Sequence, residues 1–188
     1  MRVIAGEAKG RRLKAPKGRE LRPTGDRVKE ALFNILPHDL SGRKVLDLFA
    51  GTGNLSIEAL SRGAEEAVLV DISRDAAQVI EENVRELGLT ERSRVLTAPV
   101  FKSVRMLSRR EEKFDLIFLD PPYDKELVGE TLKAIAAEGL LAESGVVVAE
   151  HSSREKVLER YGALVLSDQR RYGDTKLSFY ALSDEQPF

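Results

Sequence analysis

Two stretches of this chain combine residue types that can do chemistry. In the first, Asp120-Pro121-Pro122-Tyr123 follows the apolar run at residues 116–119. Two consecutive prolines remove two backbone donors and fix φ, so a strand carrying that run must end there. Asp120 is then held at a carboxyl strand end, where open α/β sheets place their reactive groups. Its carboxylate and the Pro121 carbonyl could accept both N–H groups of an exocyclic amine. Such a nitrogen is planar and a poor nucleophile, because its lone pair is delocalised into the ring. Accepting both hydrogens favours a pyramidal nitrogen with the lone pair freed. The Tyr123 ring offers a face for an unstacked base, a contact worth about 1–3 kcal/mol.

The second stretch is Asp47-Leu48-Phe49-Ala50-Gly51-Thr52-Gly53-Asn54, with Asp71 twenty residues beyond Gly51. Glycines between a strand and a helix let the backbone approach a ligand closely. A carboxylate at the end of the next strand can accept hydrogen bonds from both hydroxyls of a ribose. This is a nucleoside-cofactor pattern, open to NAD and to S-adenosylmethionine (SAM). Ser56 stands where the dinucleotide fingerprint has its third glycine. Asp47, four residues before Gly51, would repel a pyrophosphate and attract the sulfonium and ammonium of SAM. Hydride transfer has no use for Asp120-Pro-Pro-Tyr123, whereas methylation of an amino nitrogen does. Both details favour SAM.

The elements that must position these residues alternate. Strands are expected at 44–49, 67–72, 94–97, 116–119 and 145–150. Between them lie a helix at 54–62 closed by Gly63, one capped by Ser73 with the stripe Ala76, Ala77, Ile80, Val84 and Leu87, one with Val100, Val104 and Leu107, and one at 125–138 closed by Gly139. Strand–helix alternation predicts a doubly wound, mostly parallel α/β sheet of seven strands. A short helix is expected at 155–160, then an antiparallel hairpin of strands 163–171 and 176–182 turning at Tyr172-Gly173-Asp174-Thr175. Upstream, segments 2–5 and 11–14 around Gly6 and Gly10 read as a small basic β-hairpin. A helix over 26–36, with Thr24 or Asp26 as cap and Pro37 as stop, carries its basic residues Arg27 and Lys29 off the apolar stripe. The expected organisation is an arm and linker at 1–25, one domain at 26–182 and a tail at 183–188.

Charge singles out the arm. Residues 1–30 hold ten Lys/Arg against four Asp/Glu in a chain of net charge −1, so a basic arm sits on an acidic body. That distribution suits a polyanion partner. With no cysteine and only His38 and His151 as imidazoles, far apart in sequence, no metal site is expected. No apolar run is long enough to span a membrane and no signal peptide opens the chain, which points to a cytoplasmic protein without membrane association.

Asp47, Gly51-Thr-Gly53, Asp71 and Asp120-Pro-Pro-Tyr123 together resemble the class I SAM-dependent methyltransferases that act on amino nitrogens. Two upstream segments tighten the likeness: Arg2-Val-Ile-Ala-Gly6 with Lys9-Gly-Arg-Arg-Leu13, and Leu21-Arg-Pro-Thr-Gly-Asp-Arg-Val-Lys-Glu-Ala-Leu-Phe-Asn34. They resemble the RsmD-type bacterial enzymes, which methylate N2 of a guanine in 16S ribosomal RNA (the guanine 966 type). The resemblance implies a Rossmann-like fold, base flipping with direct in-line methyl transfer, and 16S rRNA as partner, either alone or within a small-subunit assembly particle. A monomer is expected. Asp120, Pro121, Pro122 and Tyr123 would serve the target base. Asp47, Phe49, Ala50, Gly51, Gly53, Asp71, Ile72 and Val100 would hold SAM. Lys9, Arg11, Arg12, Arg22, Thr24 and Arg27 would face RNA, the hairpin and Arg-Pro-Thr segment also closing over the cofactor. One position departs from the family: Pro99 replaces the usual Asp or Asn before the adenine-contacting segment, leaving the adenine amino group to Thr97 or a backbone carbonyl.

Two other readings stay open on the residues. A DNA adenine-N6 or cytosine-N4 methyltransferase shares Asp-Pro-Pro-Tyr chemistry, although sequence-specific members need an inserted recognition domain for which 188 residues leave no room. A non-catalytic nucleotide- or RNA-binding module would keep the arm and the glycine turn without needing Asp120.

Overall fold

Apolar runs between turn signals become strands, and apolar stripes become helices. A computed structural model describes residues 1–15, 23–122 and 127–183, without the side chains of Pro23 and Thr24. The expected α/β class holds: the described residues form a mixed sheet of eight strands that is mostly parallel with antiparallel C-terminal strands. The chain divides into two units, residues 1–99 and 100–188.

In the first unit, α1 (Pro23–Ile35) precedes β1 (Lys44–Asp47), α2 (Asn54–Ser61), β2 (Glu66–Asp71), α3 (Arg74–Glu86) and β3 (Ser93–Thr97). The three strands are parallel in the order β3-β2-β1, with Asp47 opposite Leu69 and Asp71 opposite Thr97. Val45, Leu46 and Val68 to Val70 are fully buried, as expected for strands covered on both faces. The Ser73 side chain accepts the Ala76 N–H and caps α3 as expected. Helix α1 begins earlier than the sequence indicates, at Pro23. Proline suits a first turn, where its missing N–H would have no intrahelical partner, and Thr24 and Asp26 therefore lie inside the helix.

In the second unit, α4 (Val100–Arg109), β4 (Phe114–Leu119), α5 (Leu127–Glu138), β5 (Leu141–Ser152), β6 (Arg160–Tyr161), β7 (Leu164–Tyr172) and β8 (Thr175–Leu182) follow. β4 pairs parallel with β5, β5 antiparallel with β8, and the hairpin of β7 and β8 turns between Tyr172 and Thr175 as expected. The short helix expected at 155–160 is absent. Instead β6, the strand beyond the expected seven, pairs with β7. Tyr161 is the cause: its hydroxyl accepts the Leu158 N–H at 3.0 Å, and its ring meets Tyr180 edge-on with centroids 5.7 Å apart. That aromatic contact, made across β7, outweighs the weak helical preference of the segment.

The N-terminal hairpin is also smaller than expected. Residues 1–15 form one antiparallel bridge, Arg2 with Arg12, in place of two strands. Val3 and Gly10 add backbone hydrogen bonds of 3.0 and 2.8 Å across the turn, and Val3, Ala8 and Leu13 are buried beneath it. Among the described residues, no helix is long and apolar enough to cross a membrane.

Candidate active site

The glycine turn begins where β1 ends. The Ala50 N–H donates to the Val70 carbonyl at 3.0 Å and the Gly53 N–H to the Ala50 carbonyl at 2.7 Å, closing a tight turn onto β2. Gly53 has φ +76°, which favours glycine, and a Cβ there would press on Leu69 at 3.1 Å and Ile57 at 3.2 Å. The Asp71 carboxylate accepts the Gly51 N–H at 2.9 Å and the Ser73 N–H at 2.8 Å. It thereby braces the turn and the start of α3 together.

A carboxylate has about four lone-pair sites. Two are used here, and Asp71 is only half-buried, so it can still accept from two vicinal hydroxyls. The apolar side chain of Ile72, 71% exposed, follows it directly. These residues fit the nucleoside half of SAM. Asp47 lies deeper than its expected role suggests: it is 1% exposed, and Ser56 Oγ donates to its Oδ2 at 3.1 Å. Ser56, at the third-glycine position, thus gives its hydroxyl to that carboxylate. Phe49 is half-buried and Ala50 buried beside the turn. In the β2–β3 region the Ala98 N–H donates to the Asp71 carbonyl at 3.1 Å, and Thr97 is exposed ahead of Pro99. A cavity of about 360 Å³ is lined by Arg74, Ala77, Gln78, Glu81 and Thr97; of the residues considered for the cofactor it contains Thr97 alone.

The arm is fastened by charge as well as by apolar contact. Glu58 of α2, fully buried, accepts the Ile4 N–H at 2.8 Å, the Ala5 N–H at 3.0 Å and Arg62 Nε at 3.0 Å, and pairs with Lys29 at 2.9 Å. Burial by itself would raise the Glu58 carboxyl, but the Ile4 N–H and the cations outweigh it and hold its pKa below the ordinary value. Burial lowers the pKa of Lys29, with Glu58 opposing. Lys29 is the clearest departure from the sequence reading. Expected off the apolar stripe, it is 2% exposed, because Glu58 supplies the countercharge that lets an ammonium sit beside Val28 and Leu32. Arg62 also lies over the Phe33 ring, 4.8 Å from its centroid.

Of the expected RNA-facing cations, Lys9, Arg12 and Arg27 are exposed, and none of the three has an ion-pair partner among the described residues. Arg11 is exposed but donates to the Glu86 carbonyl at 3.1 Å, and Lys14 bridges Glu82 and Glu86. Arg22 and the Thr24 side chain lie outside the described residues. Glu58 and Asn83 were missed from sequence, although each carried a signal. Glu58 is a lone acid among Ile57, Ala59 and Leu60, and Asn83 falls on the apolar stripe three residues after Ile80.

In the second unit, β4 is buried from Leu116 to Leu119, and Asp120 immediately after it is exposed. Pro121 is buried and Pro122 exposed; Tyr123 lies outside the described residues. Val100 is half-buried at the start of α4.

The β3-β2-β1 half with its glycine turn, and the β4 half with its antiparallel C-terminal hairpin, define a fold of the methyltransferase class. The chain covers 97% of, and is covered at 97% by, the solved structure titled "Putative methyltransferase yhhF from Escherichia coli", with TM-score 0.81 and 30% identity. The chain belongs to the family described as Cons_hypoth95, conserved hypothetical protein 95, whose model matches residues 1–181. Among its relatives, "Putative rRNA methyltransferase YlbH" of Bacillus subtilis (strain 168) is 41% identical over 180 residues, covering 96% of this chain and 98% of its own. "Ribosomal RNA small subunit methyltransferase D" of Escherichia coli (strain K12) is 35% identical over 150 residues, covering 80% of this chain and 74% of its own.

Proposed function

We propose that this protein is a SAM-dependent methyltransferase of small-subunit ribosomal RNA that modifies the exocyclic N2 of a guanine. The observation that carries the reading is the strand end at Asp120, an exposed carboxylate set directly after four buried apolar residues and before a buried proline that has no N–H. Because Pro121 has no N–H to continue a ladder, the strand ends with Asp120 at its tip, and a carbonyl there is an acceptor of the kind an amine hydrogen needs. The names of the relatives supply the substrate class.

When bound, SAM supplies a methyl carbon on positively charged sulfur, an electrophile for a nitrogen lone pair. Asp71 would hold the ribose hydroxyls, and Asp47, through its charge beneath the turn, would favour the cationic end. Asp120 and the Pro121 carbonyl would accept the two amine hydrogens, orienting the nitrogen and taking up positive charge as the new bond forms. The proton leaves the nitrogen to the Asp120 carboxylate or to water. Tyr123 would stack on the flipped guanine. Lys9, Arg12 and Arg27 would meet phosphates. The protein would act in the cytoplasm, where its rRNA substrate is found.

Tritium transfer from labelled SAM to separated rRNAs and to DNA, followed by nucleoside analysis, tests this. The expected result is label in the small-subunit RNA as N2-methylguanosine. Label in DNA as N6-methyladenine or N4-methylcytosine would favour the alternative methyltransferase, and no label in any nucleic acid would favour the binding module.

A further inference from the structure

Gly53 sits between two residues that are each gripped by a buried side chain, and each of those side chains also holds the basic arm. On one side is Asn83 of α3, 2% exposed. Its Oδ1 accepts the Lys14 N–H at 2.8 Å, while its Nδ2 donates to the Lys14 carbonyl and to the Thr52 carbonyl, each at 3.1 Å. On the other side is Lys29 of α1. Its ammonium donates to the Arg2 carbonyl at 3.0 Å, to Asn54 Oδ1 at 2.6 Å and to Glu58 at 2.9 Å.

An amide offers two donors and an ammonium three: the arm and the turn fill both of Asn83 and two of Lys29, and Glu58 takes the third of Lys29. Buried polar groups filled in this way have one satisfying arrangement. If the turn shifts, Asn83 and Lys29 must either follow it and strain the arm, or stay and leave a buried partner unmet. Such a loss costs more than a hydrogen bond contributes. Arm and turn are therefore not independent parts, although Arg2 and Lys14 lie some forty to fifty residues from the turn in sequence.

We propose that Asn83 and Lys29 are positioning residues that couple the basic arm to the cofactor turn. A nucleoside ligand that settles residues 51–54 tightens the arm, and a polyanion that settles the arm tightens the turn by the same factor. The arm is thus part of the cofactor site's energetics as well as a surface for RNA. This rests on reading the turn as the SAM site.

The test is amide hydrogen exchange over residues 2–14 of the full chain, with and without saturating S-adenosylhomocysteine, alongside calorimetry of its binding. Exchange at Ile4, Ala5 and Lys14 should slow by roughly fivefold or more on binding, the lower end of typical coupling factors. In Asn83→Ala, which keeps Lys29, the slowing should vanish at Lys14 while the ligand still binds. In Lys29→Met it should vanish at Ile4 and Ala5. A solely structural role would speed exchange in the variants with and without ligand alike, leaving the fivefold ratio intact, and that result overturns the coupling. So does unchanged arm exchange in the unmutated protein when calorimetry shows binding, a comparison that stands even if Lys29→Met fails to fold. No heat of binding at all would overturn the cofactor reading underneath it.

Discussion

The glycine turn and the Asp120 strand end are fixed by opposite means. Around the turn, polar groups are matched: the half-buried Asp71 and the buried Glu58 accept backbone N–H groups, the buried Asp47 accepts the Ser56 hydroxyl, and the buried Asn83 amide donates to the Thr52 carbonyl. At the strand end, a buried apolar strand and two prolines do the work, and the carboxylate is left at the surface. The first region depends on keeping charges matched inside the protein. The second depends on restricted φ and missing donors, neither of which changes with pH or salt. Removing one polar atom should therefore damage the two regions differently: folding and affinity in the first, rate alone in the second.

The sharpest break of that contrast is Asp120→Ala. Methyl transfer should fall by about 10²–10⁴-fold, the usual range for a group that handles a proton, while S-adenosylhomocysteine affinity and the thermal midpoint stay within error. A variant that turns over near the unmutated rate would remove Asp120 from the chemistry. Glu58→Gln should do the reverse. It leaves Lys29 and Arg62 buried without their countercharge, at a cost of about 3–5 kcal/mol in urea unfolding.

The same carboxylate sets a pH signature. Its pKa is lowered on folding, so the stability it contributes is complete above the ordinary value of 4.5 and is lost as pH falls below that towards the folded pKa. Stability measured from pH 6 down to 3 should fall less steeply in Glu58→Gln than in the unmutated protein. Gly53→Ala is expected to cost about 1–2 kcal/mol from its left-handed backbone, with weakened ligand binding, because the added methyl presses on Leu69 and Ile57. The smallest effect belongs to the arm's surface. Lys9→Gln with Arg12→Gln should lower the slope of log affinity against log salt by about 1.4 on single-stranded RNA. Arg11→Gln should change it less, since Arg11 is already engaged by Glu86.

What the sequence revealed followed from periodicity and punctuation. Ser73 before the stripe from Ala76 to Val84, the β4 run and the Tyr172–Thr175 turn all carry local signals, and all appear where expected. What it hid depends on partners distant in the chain. Lys29 looks like a surface cation until Glu58 is placed beside it, and residues 155–160 look helical until Tyr161 meets Tyr180. The glycine turn itself was legible because its residues are contiguous. Its attachment to the arm was not, since Asn83 and Lys29 reach it from two helices.

Gly6 carries a further consequence for redesign. A Cβ at this position would lie 1.7 Å from the Ser61 carbonyl oxygen, so the arm abuts α2 backbone to backbone, and the neighbouring Glu7 N–H donates to that same oxygen at 2.9 Å. The joint is written in main chain and tolerates no side chain at that point. Four residues on, a Cβ at Gly10 would meet nothing within 4 Å, although its φ of +81° still favours glycine at that one position. The loop tip at Lys9 therefore has the room that the joint at Gly6 lacks, and its charge can be changed with the joint left untouched.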